Sequence, residues 1–395
     1  MVAVVGDKPC RAFGCSSGFQ VLAAMELALV FSLLFLSCIH GVTSDSHYFT
    51  SMFSFGDSYI DTGNYVIMAA NSPVPVWQDR PPYGMTFFGH PAGRISDGRV
   101  IVDFIAEEFG LPLLPASLQN SSDVSKGVNF AVGGATALDV GFFESDKLVQ
   151  FKLPNSSLNV QLWWFEKLKP SIRNTTKGSR ECFSKALFFV GELGVNDYSY
   201  LWGAGKTEHE VRPYVPKIVK KITMAVERLI NEGAVYIVVP GNPPTGCSPT
   251  FLTIRSSPNR TENYDHVGCL RDMDRVARHH NFLLLAAIDA LRVKYPRAKI
   301  IFADFYNPII SILQNPNRFG VAGSDALRTC CGGGGKYNWN ASAICGMPGV
   351  TACKDPSTFV NWDGVHFTEA TYRYIAKGWL YGPFADPPIL NAIRH

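Results

Sequence analysis

Four short runs of this chain, residues 48–55, 186–190, 234–239 and 299–303, carry apolar residues at successive positions rather than only at alternate ones. A strand that is apolar on both faces must be covered on both. That is the pattern of a parallel sheet, whose crossover connections lay helices over its two sides. The connecting segments agree, because apolar residues recur at helical spacing in residues 99–109, 215–230, 274–295 and 368–380. In the second of these, Ile218, Ile222, Ala225, Val226 and Leu229 fall on one face. Gly110 and Pro112 stop the first helix, and Pro240-Gly241 closes the third strand. The expected architecture is a three-layer α/β/α sandwich with a central, mostly parallel sheet. In such sheets ligands bind at the carboxyl ends of the strands.

No internal repeat, long linker or composition break interrupts residues 45–395, so they are expected to form one domain. The 36 Lys and Arg against 33 Asp and Glu give no electrostatic reason for nucleic-acid binding. Ahead of the domain, residues 27–39 are apolar and are followed by small and polar residues, Gly41 to Asp45. Thirteen residues suit a secretory signal peptide better than a span of about 20. Residues 1–44 are therefore expected to be an N-terminal extension and signal peptide. The alternative is an uncleaved signal anchor running from Val21, with Lys8 and Arg11 on its cytoplasmic side. Both place the domain in the secretory route, either extracellular (at the cell wall) or in the Golgi or another secretory lumen, with membrane attachment only if the leader stays.

Five glycosylation acceptor sequences, at Asn120, Asn155, Asn174, Asn259 and Asn340, point the same way. Cys330, Cys331, Cys345 and Cys353 fall within 24 residues, and disulfides are the default in an oxidising compartment, with three connectivities open. Cys247 and Cys269 flank another loop and are a further candidate pair, which leaves Cys182 as the odd thiol. The four glycines after Cys331 lack the Gly-Lys-Ser/Thr of a phosphate loop and read as a flexible stretch. Trp163-Trp164, at helical spacing among apolar residues, read as core.

The esterase elbow G-x-S-x-G occurs once, at Gly14 to Gly18, before the leader and after no strand, so it is discarded. Ser58 is the better serine. In Phe53-Ser-Phe-Gly-Asp-Ser58 an apolar strand ends at a glycine, which permits a tight turn, and Ser58 follows at the sheet edge near a helix start. The same residues suit an ordinary helix N-cap. Asp363 and His366 stand three apart just before the last helix. That spacing lets a carboxylate hold the imidazole Nδ1–H and leave Nε2 to take a proton from a serine. The rival, an Asp-x-x-His metal pair, lacks further ligands nearby, and the adjacent His279 and His280 point different ways on a helix. Asn196, in Gly191-Glu-Leu-Gly-Val-Asn196 after the strand 186–190, offers a side-chain amide to a developing oxyanion, or simply forms a turn. A glycine N–H from Asn129-Phe-Ala-Val-Gly-Gly134 is a further donor.

Together, in this order, the four blocks resemble the plant GDSL esterase/lipase family of the SGNH hydrolases, over residues 48–385. Asp61-Thr-Gly-Asn64 and Thr245-Gly-Cys-Ser-Pro249 extend the likeness. The resemblance implies the flavodoxin-like fold of that superfamily. It implies Ser58 as nucleophile, His366 as general base and then acid, and Asp363 as its orienting partner. The oxyanion hole would be the Ser58 and Gly133 N–H groups with the Asn196 side chain, Gly134 being the alternative to Gly133. No cofactor, metal or obligatory protein partner is implied. The partner is an ester substrate. The stretch SMFSFGDSYIDTGN, residues 51–64, looks like members acting on small acyl esters. The expected activity is a serine carboxylester hydrolase for acetyl esters of cell-wall polysaccharide such as xylan, or of a plant metabolite. The alternatives are a lipid acyl-ester hydrolase and an acyltransferase using the same acyl-enzyme.

Overall fold

The computed structural model describes residues 48–393 apart from 71–74, 120–122, 146–154, 175–180 and 256–260. Its central sheet contains β1 (Ser51–Phe55), β2 (Gly127–Asn129), β3 (Ala186–Val190), β4 (Tyr236–Pro240), β5 (Lys299–Ala303) and an edge strand, β8 (Ala385–Asp386). The order is β2-β1-β3-β4-β5-β8, and only β8 runs antiparallel. A separate pair, β6 (Cys331–Gly332) and β7 (Thr351–Ala352), is antiparallel.

The apolar runs are explained by two cores, one on each face. Phe53, Phe55, Phe188, Val190, Ile237 and Val239 face one core, while Met52, Leu187, Phe189, Val238 and Ile301 face the other. Successive residues of a strand point to opposite faces, so every position has a core to fill. The helices that matter here are α1 (Asn64–Ala69), α2 (Ile101–Glu108), α3 (Leu158–Asn174), α4 (Val195–Gly203), α5 (Val215–Asn231), α6 (Arg271–Lys294) and α7 (Glu369–Tyr381), with further helical segments between them. Buried residues of α3, α5 and α6 join the first core, and those of α2 and α7 the second. The three-layer expectation holds.

Several boundaries moved for identifiable reasons. The first strand begins at Ser51, three residues later than its apolar run. Helix α6 begins at Arg271, a turn earlier than the periodicity, with Asp272 and Asp274 in its first turn complementing the helix dipole. Thr368 is not helical but caps α7, its hydroxyl accepting from the Thr371 N–H at 3.3 Å. The strands β2 and β8 carry too few residues for a sequence pattern. Trp163 is a correction: it is 55% exposed, because the buried stripe of α3 is Leu158, Leu162 and Phe165, and Trp163 points about 100° away from Leu162. The glycine run is also less loose than expected, since Gly332 belongs to β6 and an added Cβ would collide with the Asn338 carbonyl.

Three disulfides staple the loops: Cys247–Cys269, Cys330–Cys353 and Cys331–Cys345. Asn155 and Asn340 are exposed, while Asn120, Asn259 and the expected leader lie outside the described residues. No helix among the described residues is long and apolar enough to cross a membrane.

What the fold does for the site is visible at Gly56, where β1 ends. The buried Gln161 of α3 accepts from the Gly56 N–H at 2.9 Å and donates to the Gly56 carbonyl at 2.8 Å. A Cβ on Gly56 would lie 2.8 Å from Ile60 Cδ1 and 2.9 Å from the Gly191 carbonyl oxygen. Gln161→Leu is expected to cost about 1–3 kcal/mol by leaving the buried Gly56 N–H without an acceptor. Chemical denaturation measures it, and wild-type stability would contradict the role.

Candidate active site

The loop that leaves β1 at its carboxyl end carries Ser58, the helix α4 that follows β3 carries Asn196, and the segment before α7 brings Asp363 and His366. Ser58 is not at a helix start, as expected, but in a turn well ahead of α1. The Ile60 N–H donates to the Asp57 carbonyl and the Tyr59 N–H to Asp57 Oδ1 at 3.0 Å, closing the turn around Ser58. Among the described residues, the Ser58 N–H donates to no hydrogen bond. Tyr59, next in sequence, reaches across to the other loop. Its hydroxyl donates to the Val365 carbonyl at 3.3 Å, and its ring lies 5.7 Å from that of His366.

The His366 turn is tightly held. Nδ1 lies 2.9 Å from both Asp363 oxygens, and Asp363 Oδ1 also accepts the His366 N–H at 2.9 Å and the Val365 N–H at 3.1 Å. Burial works against the Asp363 charge, but the His366 charge and these donors outweigh it and hold the carboxyl below its usual range. Gly364 has φ +107°, a backbone conformation that favours glycine, and Trp339 and Thr250 occupy the space where its side chain would stand. Across the turn, the Trp362 N–H donates to the His366 carbonyl at 2.7 Å. His366 Nε2 is buried and has no hydrogen-bond partner among the described residues.

Three supports of this turn could not be read from the motifs. Tyr83, buried in a distant loop, donates its hydroxyl to Asp363 Oδ2 at 2.9 Å. The Ser248 hydroxyl donates to the Gly364 carbonyl at 2.6 Å, which gives the Thr245 to Pro249 block a task. The disulfide-bonded segment pairs with the strand-like approach to Asp363, Cys330 N–H donating to the Asn361 carbonyl at 2.9 Å and Cys331 N–H to that of Trp362 at 2.8 Å. The available signal for Tyr83 was a tyrosine among prolines and glycines, which names no partner.

The two glycines expected to offer an N–H differ in what they already bind. The Gly133 N–H donates to Asp61 Oδ2 at 2.8 Å, so it is already committed. Asp61 also accepts from the N–H groups of Gly63, Asn64 and Tyr65, capping α1 and tying the Asp61 to Asn64 block to the glycine pair. The Gly134 N–H, by contrast, donates to no hydrogen bond among the described residues. Asn196 stands in the first turn of α4, and its Nδ2 donates to Asp57 Oδ2 at 2.8 Å and to the Ala135 carbonyl at 3.0 Å.

The GDSL-like lipase/acylhydrolase family model matches residues 52–379. The chain belongs to this family. Three Arabidopsis thaliana proteins named GDSL esterase/lipase are 44%, 42% and 41% identical to it over 346, 363 and 360 residues. Those alignments cover 86%, 91% and 91% of this chain and 92%, 92% and 90% of the relatives. The molecule is a GDSL-type carboxylic ester hydrolase.

Other titratable groups near the site have structural tasks. Cys247, Cys269 and Asp274 cluster at metal-binding distance, but the two sulfurs are bonded to each other and offer no thiolate. His280 is fully buried on α6, with Nδ1 2.8 Å from the Tyr198 hydroxyl, and His279 is half-buried, as their adjacency implied.

Two expectations follow. Tyr83→Phe removes a donor from a buried carboxylate and is expected to cost about 1.5–3 kcal/mol of stability, read by denaturation against wild type. Burial, with a smaller contribution from His279, pushes the His280 pKa down to about 3. The unfolded chain therefore takes up a proton at about pH 6.5 that the folded protein refuses, and stability is lost as pH falls through this range, by about 1.4 kcal/mol per pH unit. The stability of wild type relative to His280→Gln, which cannot titrate, should fall by that amount per unit between about pH 6 and 4. A constant difference would contradict the buried neutral imidazole.

Proposed function

We propose that Ser58 is the nucleophile, His366 the general base and then acid, and Asp363 the residue that orients the histidine. The observation that carries this reading is the His366 ring. Its Nδ1 is bound by the Asp363 carboxylate, which leaves Nε2 buried and, among the described residues, without a hydrogen-bond partner, in a turn that Tyr59, the neighbour of Ser58, joins through the Val365 carbonyl. Fixing the tautomer in this way leaves a basic nitrogen ready for the serine proton. In the first half-reaction, Ser58 Oγ attacks the ester carbonyl as Nε2 takes its proton, and the proton then goes to the departing alcohol. In the second, water gives a proton to Nε2 and attacks the acyl-enzyme, releasing the acid and restoring Ser58.

The oxyanion in this reading is met by the N–H groups of Ser58 and Gly134 and by the Asn196 amide. One Asn196 N–H stays on Asp57, and the other exchanges the Ala135 carbonyl for the oxyanion. Gly134 replaces Gly133 because its N–H has no competing carboxylate.

The substrate class in this proposal is a small acyl ester, an acetyl group on a cell-wall polysaccharide such as xylan or on a plant metabolite. The likeness of residues 51–64 to members acting on such esters supports it. Met85 and Phe87, exposed on the loop whose Tyr83 touches Asp363, favour a second reading in which apolar surface beside the site receives a lipid acyl chain. Three disulfides and the exposed acceptor residues Asn155 and Asn340 support passage through the secretory route and extracellular residence.

The test is one panel: acetate release from acetylated xylan, fatty acid release from long-chain esters, and turnover of p-nitrophenyl esters, by wild type and Ser58→Ala. Acetate release by wild type, and a folded Ser58→Ala that neither turns over esters nor is labelled by a serine-reactive phosphonate, are expected. Ester turnover by Ser58→Ala would remove the nucleophile assignment. Turnover of long-chain esters alone would replace the acetyl reading with the lipid one.

A further inference from the structure

Glu192 follows the last glycine of the β3 edge, and the proposed triad and oxyanion hole leave it without a task. Its side chain is buried. Oε1 accepts from the Val195 N–H at 3.3 Å and from the Asn242 amide. On its other side the carboxyl is in hydrogen-bonding contact with the carboxyl of Asp57, which is also fully buried. Two carboxyls in contact inside a protein cannot both be ionised, so the pair holds a proton between them.

Its location follows from the donors. Asp57 accepts from the Tyr59 N–H at 3.0 Å and from Asn196 Nδ2 at 2.8 Å, and faces the basic ring of His366. Among the described residues Glu192 Oε2 accepts from no donor, and the neighbouring charges acting on this carboxyl are those of Asp57 and Asp197. The proton belongs on Oε2, from which it reaches Asp57. Burial pushes both carboxyls up from their usual range.

We propose that Glu192 is a positioning residue for the oxyanion donor: its carboxyl hydrogen-bonds Asp57, and Asp57 in turn holds one N–H of the Asn196 amide and so aims the other. The proposal rests on the reading of Asn196 as an oxyanion donor. It explains a buried acid between β3 and α4 that contacts no reacting atom.

The test measures kcat and KM for p-nitrophenyl acetate in the full chain carrying Glu192→Ala, Glu192→Gln, Asn196→Ala, or Glu192→Ala with Asn196→Ala, each checked for cooperative unfolding. Asn196→Ala is expected to lose about 100-fold in kcat. Glu192→Ala should lose at least about tenfold in kcat, with KM within about twofold. Glu192→Gln, whose amide N–H donates to Asp57 from the same place, should recover most of that loss. In the Asn196→Ala background, Glu192→Ala should cost less than about twofold, because its effect runs through the missing amide. Glu192→Met keeps the volume and takes the place of Glu192→Ala if the latter does not fold. Asn196→Ala at wild-type kcat overturns both the oxyanion reading and this one. A slowed Asn196→Ala, with Glu192→Ala costing the same factor in both backgrounds or Glu192→Gln as slow as Glu192→Ala, overturns only the role of Glu192.

Discussion

A parallel strand buried on both faces can deliver functional groups only at its ends, and β1 is such a strand. It lies between β2 and β3, with Phe53 and Phe55 in one core and Met52 in the other. The chain therefore emerges at Gly56 in a fixed place, and Gln161 fixes it further by binding that residue's N–H and carbonyl. The segment after β2 and the loop after β3 leave the same sheet edge, bringing the Gly133-Gly134 pair and Asn196 toward Ser58. Ligand binding at strand carboxyl ends is a general property of such sheets. Here the edge gathers parts separated by more than a hundred residues.

The fourth part, Asp363-Gly-Val-His366, is not delivered by a strand of that sheet. It is held from outside, by Tyr83 on the carboxylate, Ser248 on the Gly364 carbonyl, and the disulfide-bonded β6 segment on Asn361 and Trp362. A carboxylate buried among four protein donors has little freedom left to lose, which is the electrostatic advantage that a preorganised site would use in the proposed reaction. The disulfide-bonded segment thus braces the Asp363 to His366 turn as well as the loops.

Much of this was legible in the sequence because it rested on local pattern. Two-sided apolar strands imply a doubly covered sheet, and Asp363 and His366 three apart can meet within one turn. The places that the sequence left open or misread are those where a distant group decides. Gly133 and Gly134 are equivalent on paper, and only the Asp61 carboxylate, 72 residues away, distinguishes them by taking the Gly133 N–H. Trp163 read as core because its neighbours are apolar, yet the helix turns it to the surface. Tyr83 and Ser248 carried no signal, since a hydroxyl does not reveal its partner until the chain has folded.

By itself the sequence determined the layered α/β architecture and the family, and it singled out the serine, histidine and aspartate of the proposed site. These depend on periodicity and on short motifs whose geometry is local. The tertiary structure alone decided which glycine N–H remains open, what holds the Asp363 carboxylate, how the cysteines pair, and that Asp57 and Glu192 share a buried contact. Each of those depends on competition among donors and acceptors from separate segments, and burial makes every such pairing costly to leave unmade.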